Sequence, residues 1–418
     1  MLSDSFVMKS VHLVLARVAA LATVLCLAAC AGSSSNISAS NAAATVPHSS
    51  TQAQASVDKN APREVRGVWL TNVDSNVLDS RENIAEAMQF LADHHFNVVY
   101  PVVWNKAATL YPSAIMQERF GQSIDPRFAG RDPLREVIEE AHARGLEVVP
   151  WFEFGFSCWH TSLGPGGGPI VKKYPHWAAK DQEGKIATKN GFEWLNGLHP
   201  EVQDFLLSLI LEVANTYEID GVQGDDRLPA MPSLAGYDAW TVAQYRAEKG
   251  KEPPTDYKDP EWVQWRADRL TGFLARLRRE VKAVDEHIVI SMSPSYYDWS
   301  LYEYLQDSKT WVDRGLVDTL HPQAYRYELD AYRKIVDDLV ANQFTDEQLP
   351  LLSPGLLVKS GSYVIDPAML LECIAYNRAN GVQGEVHFFY EGLRKNDNAV
   401  ATALLNGPYK QKAGLPYR

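Results

Sequence analysis

Cysteine is nearly absent from this chain. Four occur in 418 residues: Cys26, Cys30, Cys158 and Cys373. No pair of them has the spacing of a metal site with a nearby His, so no metal centre is expected. No cofactor motif is present either. A Gly-rich phosphate turn after the first strand is missing, which argues against a doubly wound dinucleotide-binding sheet. Positive charge is in deficit, with 40 Lys and Arg against 52 Asp and Glu, a net charge of −12. That balance argues against nucleic acid as a partner and against electrostatic attachment to an anionic membrane surface. The longest apolar run is too short and too interrupted to span a bilayer. No internal repeat and no second folded domain appear, and a monomer is expected.

What is present divides the chain into three parts. Residues 1–29 read as a secretory signal. Lys9 and Arg17 flank or interrupt an apolar run that reaches Leu27-Ala28-Ala29-Cys30. That ending resembles the bacterial lipobox, in which cleavage leaves the cysteine to be lipidated. Met8 makes a better start than Met1, since Asp4 is unusual in a signal's basic region. Ala31 follows the cysteine where an Asp would favour retention at the inner membrane. The expected location is therefore the bacterial cell envelope, anchored through Cys30, at the outer membrane. The membrane is then a partner through the lipid anchor only. Residues 30–60 are Ser, Ala, Asn, Thr and Gln, too poor in large apolar groups to fold, and read as a flexible tether. Residues 61–418 form one folded domain, about 350 residues, a normal length for a (β/α)8 barrel with long loops. Within it Cys158 and Cys373 are expected as unpaired thiols in preference to a disulfide.

The domain alternates short β-branched runs with helical periodicity. Strands are expected over 65–73, 97–104, 146–152, 219–224, 287–292, 317–321, 349–356 and 384–389. Helices are expected over 81–95, 133–144, 200–217, 262–284, 301–314, 330–342, 367–380 and 397–405. Pro133 in a first turn and Gly145 after a last one are ordinary boundaries. Eight strand–helix units in strict alternation favour a closed α/β (β/α)8 TIM barrel over an open sheet.

In such a barrel the C-terminal strand ends build the active site. Here those ends carry acids, amides and aromatics. Asn72, Trp104, Trp151, Trp194, Gln323 and Tyr325 are candidate substrate-binding residues: aromatic faces stack on sugar rings, and amides bond hydroxyls. Asp225 and Asp226 close strand four, and Glu153 closes strand three. Glycoside hydrolysis needs two carboxyl groups flanking one bond, and acids at neighbouring strand ends can supply them. Adjacent residues in extended backbone point to opposite faces. Only one of Asp225 and Asp226 should then face the reacting centre, unless the strand has already broken. Asp225, Glu153 and Asp226 are the catalytic candidates. Asp225 and Asp226 have a structural alternative as a helix-capping pair or partners of Arg227, and Glu153 as a partner of a barrel cation. Glu391 and Asp298 sit further into their loops.

These stretches together resemble a known family. Arg66-Gly67-Val68-Trp69-Leu70-Thr71-Asn72, Trp151-Phe152-Glu153-Phe154-Gly155-Phe156, Trp194-Leu195-Asn196 and His199-Pro200-Glu201-Val202 carry the likeness. Asp220 to Asp226, Ser293-Pro294 and Gln323-Ala324-Tyr325-Arg326 complete it. They are similar to the glycosyl-hydrolase-like 10 family (domain of unknown function 187), which includes lipoproteins that cleave peptide-stripped peptidoglycan. The resemblance implies a (β/α) barrel hydrolase with its site at the strand-four Asp. That segment is also similar to the α-amylase pattern Asp-Gly-Phe-Arg-x-Asp, which makes Asp225 the nucleophile. Two departures stand out. Gln223 occupies the position of the Arg that normally holds the Asp ionised. Strand five ends in Ser293-Pro294-Ser295, without the usual acid, so Glu153 is the proton donor expected here. The aromatic run that usually follows the Asp pair is replaced by Arg227-Leu228-Pro229. The expected function is hydrolysis of a polysaccharide, peptide-stripped peptidoglycan first among the choices. A non-catalytic glycan-binding barrel and a hydrolase of another polysaccharide are the alternatives.

Overall fold

The computed structural model describes residues 61–418. The signal segment, the tether and Cys30 lie outside the described residues. We number the core strands and the helix that follows each in chain order. The strands are β1 Val65–Leu70, β2 Val98–Pro101, β3 Glu147–Val148, β4 Gly221–Gly224, β5 Val289–Met292, β6 Thr319–Leu320, β7 Gly355–Leu357 and β8 Gly384–Phe388. The helices are α1 Arg81–Asp93, α2 Pro133–His142, α3 Pro200–Thr216, α4 Pro260–Val284, α5 Ser308–Asp313, α6 Leu329–Asp338, α7 Pro367–Ala379 and α8 Tyr390–Asn406.

All pairings among these strands are parallel. Continuous ladders give the orders β7-β8-β1-β2-β3 and β6-β5-β4. Isolated bridges join the two runs: Trp151 with Gln223 on one side, Leu320 with Leu352 and Gln323 with Gly355 on the other. The pairings therefore return to their start, with two of the eight joints made by bridges in place of full ladders. Short ladders suit a barrel whose strands are strongly tilted and twisted.

The helix starts have local causes. Asp132, Asp259 and Asp366 each accept a backbone N–H from the first turn that follows, and a Pro stands next in each case. The Asp satisfies an orphan donor, and the Pro has none to lose. α3 then buries Val202, Phe205, Leu206, Leu209, Ile210 and Val213, each worth about 1.5–3 kcal/mol when fully covered. The barrel interior is partly polar but paired. The Trp69 indole donates to Gln223 at 2.6 Å, and the Gln223 amide donates to Ser291 at 2.9 Å. Gly67 is required on β1, because a Cβ there would meet the Tyr100 ring at 2.8 Å.

Several expected boundaries move. The helix expected over 301–314 breaks into Trp299–Tyr304 and α5, with Leu305 left-handed at φ 59° between them. The stretch Leu349–Leu351, expected as the start of strand seven, is a 3-10 turn around Pro350. α8 begins at Tyr390 and is interrupted by non-helical backbone at 395–398. Among the described residues the loops also hold three α-helices that were not expected: Ala114–Phe120, Gly168–Lys173 and Ala239–Lys249. Cys158 and Cys373 are both buried and free.

Candidate active site

Two turns meet at the mouth of the barrel. β4 ends at Gly224, and the next residues form a turn in which the Arg227 N–H donates to Asp225 Oδ1 at 2.9 Å. Gln306 anchors that turn from outside, donating to the Asp225 carbonyl at 2.8 Å. Beyond β3, the chain turns at Glu153, with the Gly155 N–H on the Phe152 carbonyl. The two turns dock directly: Phe156 N–H donates to the Arg227 carbonyl at 2.9 Å, and Arg227 Nε donates to the Glu153 carbonyl at 2.7 Å. Gly155 makes this possible. Its φ is +46°, and a Cβ on it would lie 2.1 Å from the Arg227 carbonyl oxygen.

The docking gathers three acids around one guanidinium. Arg227 Nη2 lies 2.9 Å from Asp225 Oδ2 and 3.3 Å from Glu153 Oε1. Arg227 Nη1 lies 3.6 Å from Asp226 Oδ1. Exposures of 1% for Asp225, 2% for Asp226 and Glu153, and 4% for Arg227 leave bulk water no part in compensating these charges. Asn105 donates to Glu153 Oε2, and the Trp151 indole donates to Asp225 Oδ2 at 3.2 Å. The Phe192 and Phe154 rings flank the guanidinium at 4.8 and 5.6 Å. Burial pushes the Glu153 carboxyl above the ordinary range, with Arg227 opposing. Burial does the same to Asp225, again against Arg227, while Asp226 and Glu153 add to the rise. The three carboxylates in turn hold Arg227 firmly charged. A carboxyl kept protonated near neutrality is what a general acid requires.

The strand has broken by Gly224, so Asp225 and Asp226 do not point to opposite faces; both reach Arg227. Gln223 faces the barrel interior, bonded to Trp69 and Ser291. The cation expected at position 223 is supplied in space by Arg227, four residues later. Sequence reasoning had Arg227 only as a structural partner of the acid pair. The signal available was a basic residue directly after two acids at a strand end.

The other candidates divide. Trp151 is buried and serves Asp225. Tyr325 stacks on Phe388 at 5.0 Å and meets the Trp69 edge at 6.5 Å. Gln323, half-buried, donates to the Ser293 carbonyl at 3.3 Å. Trp194 is buried against Tyr304 at 5.9 Å, with its indole N–H unpartnered. Asn72 sits at the rim, its carbonyl taking a bond from Arg127 at 2.6 Å. Trp104 is not brought to the mouth as a platform. It is 0% exposed, its indole donates to the Gly155 carbonyl at 3.1 Å, and its ring meets Phe205 of α3. Glu391 accepts from Ser75 at 2.8 Å, and Asp298 is exposed. His321 is a barrel residue, bonded to Tyr100 and to the Ser353 carbonyl.

A cleft over Glu153 is lined by Asn105, Lys106, Phe154, His160 and Phe192. None of Lys106, His160 and Phe192 stood out in the sequence, since each reaches the cleft from a loop hairpin. Among the described residues, no group of three or more His, Cys, Asp and Glu is arranged to hold a metal ion.

The glycosyl hydrolase-like 10 family model matches residues 64–367. Glycosyl hydrolase YngK of Bacillus subtilis (strain 168) is 26% identical over 85% of this chain and 73% of its own length. Glycosyl hydrolase DigH of Escherichia coli (strain K12) is 25% identical over 62% of this chain and 65% of its own length. The PgaB (BpsB) glycoside hydrolase domain from Bordetella bronchiseptica superposes with a TM-score of 0.62 at 16% identity, covering 82% of this chain and 99% of that one. The β-amylase catalytic domain from Paenibacillus polymyxa gives 0.54 at 13% identity, over 84% and 99%. The structural likenesses concern the fold. The sequence match spans most of the barrel and both acid-bearing turns: this chain belongs to the glycosyl hydrolase-like 10 family and is a glycoside hydrolase.

Proposed function

We propose that the chain cleaves glycan strands of peptide-stripped peptidoglycan, using Glu153 and Asp225 as its carboxyl pair. The observation that carries this reading is their shared partner. Asp225 Oδ2 and Glu153 Oε1 lie 2.9 Å and 3.3 Å from one Arg227 nitrogen, so they lie no more than 6.2 Å apart. Inverting enzymes need about 6.5–9.5 Å to fit a water, and retaining enzymes about 5–5.5 Å. Two carboxyls that share one guanidinium nitrogen suit the shorter separation, and retention is the mechanism taken here. In the first step Asp225 attacks the anomeric carbon, and Glu153 gives its proton to the departing glycosidic oxygen. In the second, Glu153 takes a proton from water as that water's oxygen displaces Asp225. The roles follow from the contacts. Arg227 approaches Asp225 more closely than Glu153 and adds its backbone N–H, contacts that fix Asp225 as the attacking group even though burial raises its carboxyl well above the ordinary range. Asp226 orients Arg227, half-buried Phe388 and Gln323 offer surface to the sugar, and the buried Tyr325 and Trp194 rings pack behind them.

The choice of peptidoglycan rests on the family likeness and on an expected location in the cell envelope, with Cys30 as the lipid attachment site at the outer membrane. An acidic protein repels anionic polymers, which favours glycans freed of acidic peptides. The test is incubation of the purified domain with intact and peptide-stripped peptidoglycan, reading soluble products by mass spectrometry. Products from stripped glycan, abolished in an Asp225→Asn variant that still unfolds cooperatively, support the reading. Equal activity in Asp225→Asn refutes the site; no product from either wall refutes the substrate.

A further inference from the structure

We propose that Lys106 is a positioning residue for the reaction, a cation that a strained hairpin turn holds in the cleft to set the charge state of Glu153. This rests on Glu153 being the general acid.

The geometry starts with the hairpin after β2. Trp104–Asn105 pairs antiparallel with Ala108–Thr109, and only Lys106 and Ala107 connect them. Both connecting residues have positive φ, 47° and 61°. A two-residue turn of that kind selects Asn-Gly, because side chains crowd the backbone in the left-handed region. Neither residue here is Asn or Gly. Strain of this kind persists where surrounding structure holds it, and it gathers at functional sites. The hairpin's product is specific: Asn105 donates to Glu153, and the next residue, half-buried Lys106, lines the same cleft as Glu153.

Glu153 is thus faced from three sides. The hairpin presents Asn105 and Lys106. The turn after β4 presents Arg227, Asp225 and Asp226. The loop after β3 presents His160 across the cleft. Arg227 is spread over three carboxyls, so a second cation has work to do beside the one acid that must ionise and reprotonate in each turnover. Burial lowers the Lys106 pKa, and the charges of Glu153 and Asp125 oppose that, with Arg127 acting the other way.

The test needs no substrate. Glutamate carboxyl carbons are followed by NMR through a pH titration of the purified full-length chain, with Glu153→Gln assigning the signal. A cation lining the same water-poor cleft as a carboxyl favours its ionised form. Lys106→Met and Lys106→Asn are expected to raise the Glu153 midpoint by about one pH unit, and Lys106→Arg to restore it. Lys106→Asn also relieves the backbone and raises the melting temperature. A purely structural Lys106 would change melting and leave the midpoint where it was, and that result overturns the proposal. Activity of Glu153→Gln on stripped glycan separates the two readings. Inactivity with an unmoved midpoint overturns the role of Lys106 alone. Full activity overturns Glu153 as the acid, and the positioning role with it.

Discussion

Replacing Arg227 with Met tests whether one guanidinium holds this site together. Met retains much of the aliphatic stem and removes the charge. Asp225 and Glu153 are then left buried without the partner that now lies 2.9 and 3.3 Å away. Removing one member of a buried ion pair costs about 3–5 kcal/mol, since the stranded charge has no water around it. At roughly 2 °C per kcal/mol for a domain of this size, the melting temperature falls by about 6–10 °C. The pH dependence separates charge from packing. Burial already raises both carboxyls, and loss of Arg227 raises them further. A carboxyl whose folded pKa exceeds its unfolded value favours the native state below the unfolded pKa. That contribution disappears as the pH rises through the folded pKa. The deficit of Arg227→Met is therefore smallest at about pH 4 and largest at about pH 8.

Calorimetry at both pH values reads this directly. A second substitution sharpens it. In the Arg227→Met background, Asp225→Asn removes a stranded charge and recovers part of the loss at high pH. In the native background the same substitution takes a partner from Arg227 and recovers nothing. Equal deficits at both pH values, with no recovery in the double variant, would mean that Arg227 matters only through its contacts with the Phe154 and Phe192 rings, and would refute the charge account.

Gly155→Ala puts a methyl 2.1 Å from the Arg227 carbonyl at a φ of +46°. The turns must separate, so activity falls at least tenfold with a melting loss of at least about 3 kcal/mol; near-native kinetics would show that their docking is dispensable. Glu385, buried at the opposite end of β8 from the mouth, takes a bond from Tyr409 at 2.6 Å, and burial raises its pKa to about 7. Its ionised form then costs about 3 kcal/mol at about pH 8 and nothing at about pH 4. Glu385→Gln is expected to raise the melting temperature at the higher pH only, and a pH-independent change would contradict the burial argument. Retention predicts that the first product seen by NMR has the anomeric configuration of the substrate; the opposite anomer would refute Asp225 as a nucleophile.

The alternation of strands and helices was legible because its causes are local. Buried strands read as β-branched runs, and Asp-Pro pairs at 132, 259 and 366 mark helix starts through capping. The break in the expected fifth helix was not legible, because its cause is tertiary. Gln306 turns inward to bond the carbonyls of Asp225 and Pro229, and helical periodicity carries no trace of a target far away in sequence. The meeting of Asp225 and Glu153 at one mouth was legible for the same reason as the strands: acids at the ends of buried runs. Trp104 misled, since a strand-end aromatic looks the same in sequence whether its ring faces the mouth or, as here, Phe205.

Arg227 shows what position-by-position reading misses. Compared along β4, Gln223 stands where a nucleophile's supporting cation belongs, and the comparison registers a loss. The barrel restores the charge from the far side of the acids. Arg227 can reach back because the chain turns immediately after Gly224, and it meets Glu153 because Gly155 lets the second turn come within bonding distance of its backbone. On the proposed mechanism the cation is set by its place between Asp225 and Glu153, and not by its position along the strand. Moving it from 223 to 227 also frees the interior position for Gln223, which pairs with Trp69 and Ser291 without leaving a buried charge in the barrel. The same logic applies to the missing strand-five acid. Once Glu153 shares a nitrogen of Arg227 with Asp225, a further carboxyl at the end of β5 would add a negative charge to a buried cluster already holding three acids against one guanidinium, and Ser293 and Ser295 leave that charge out.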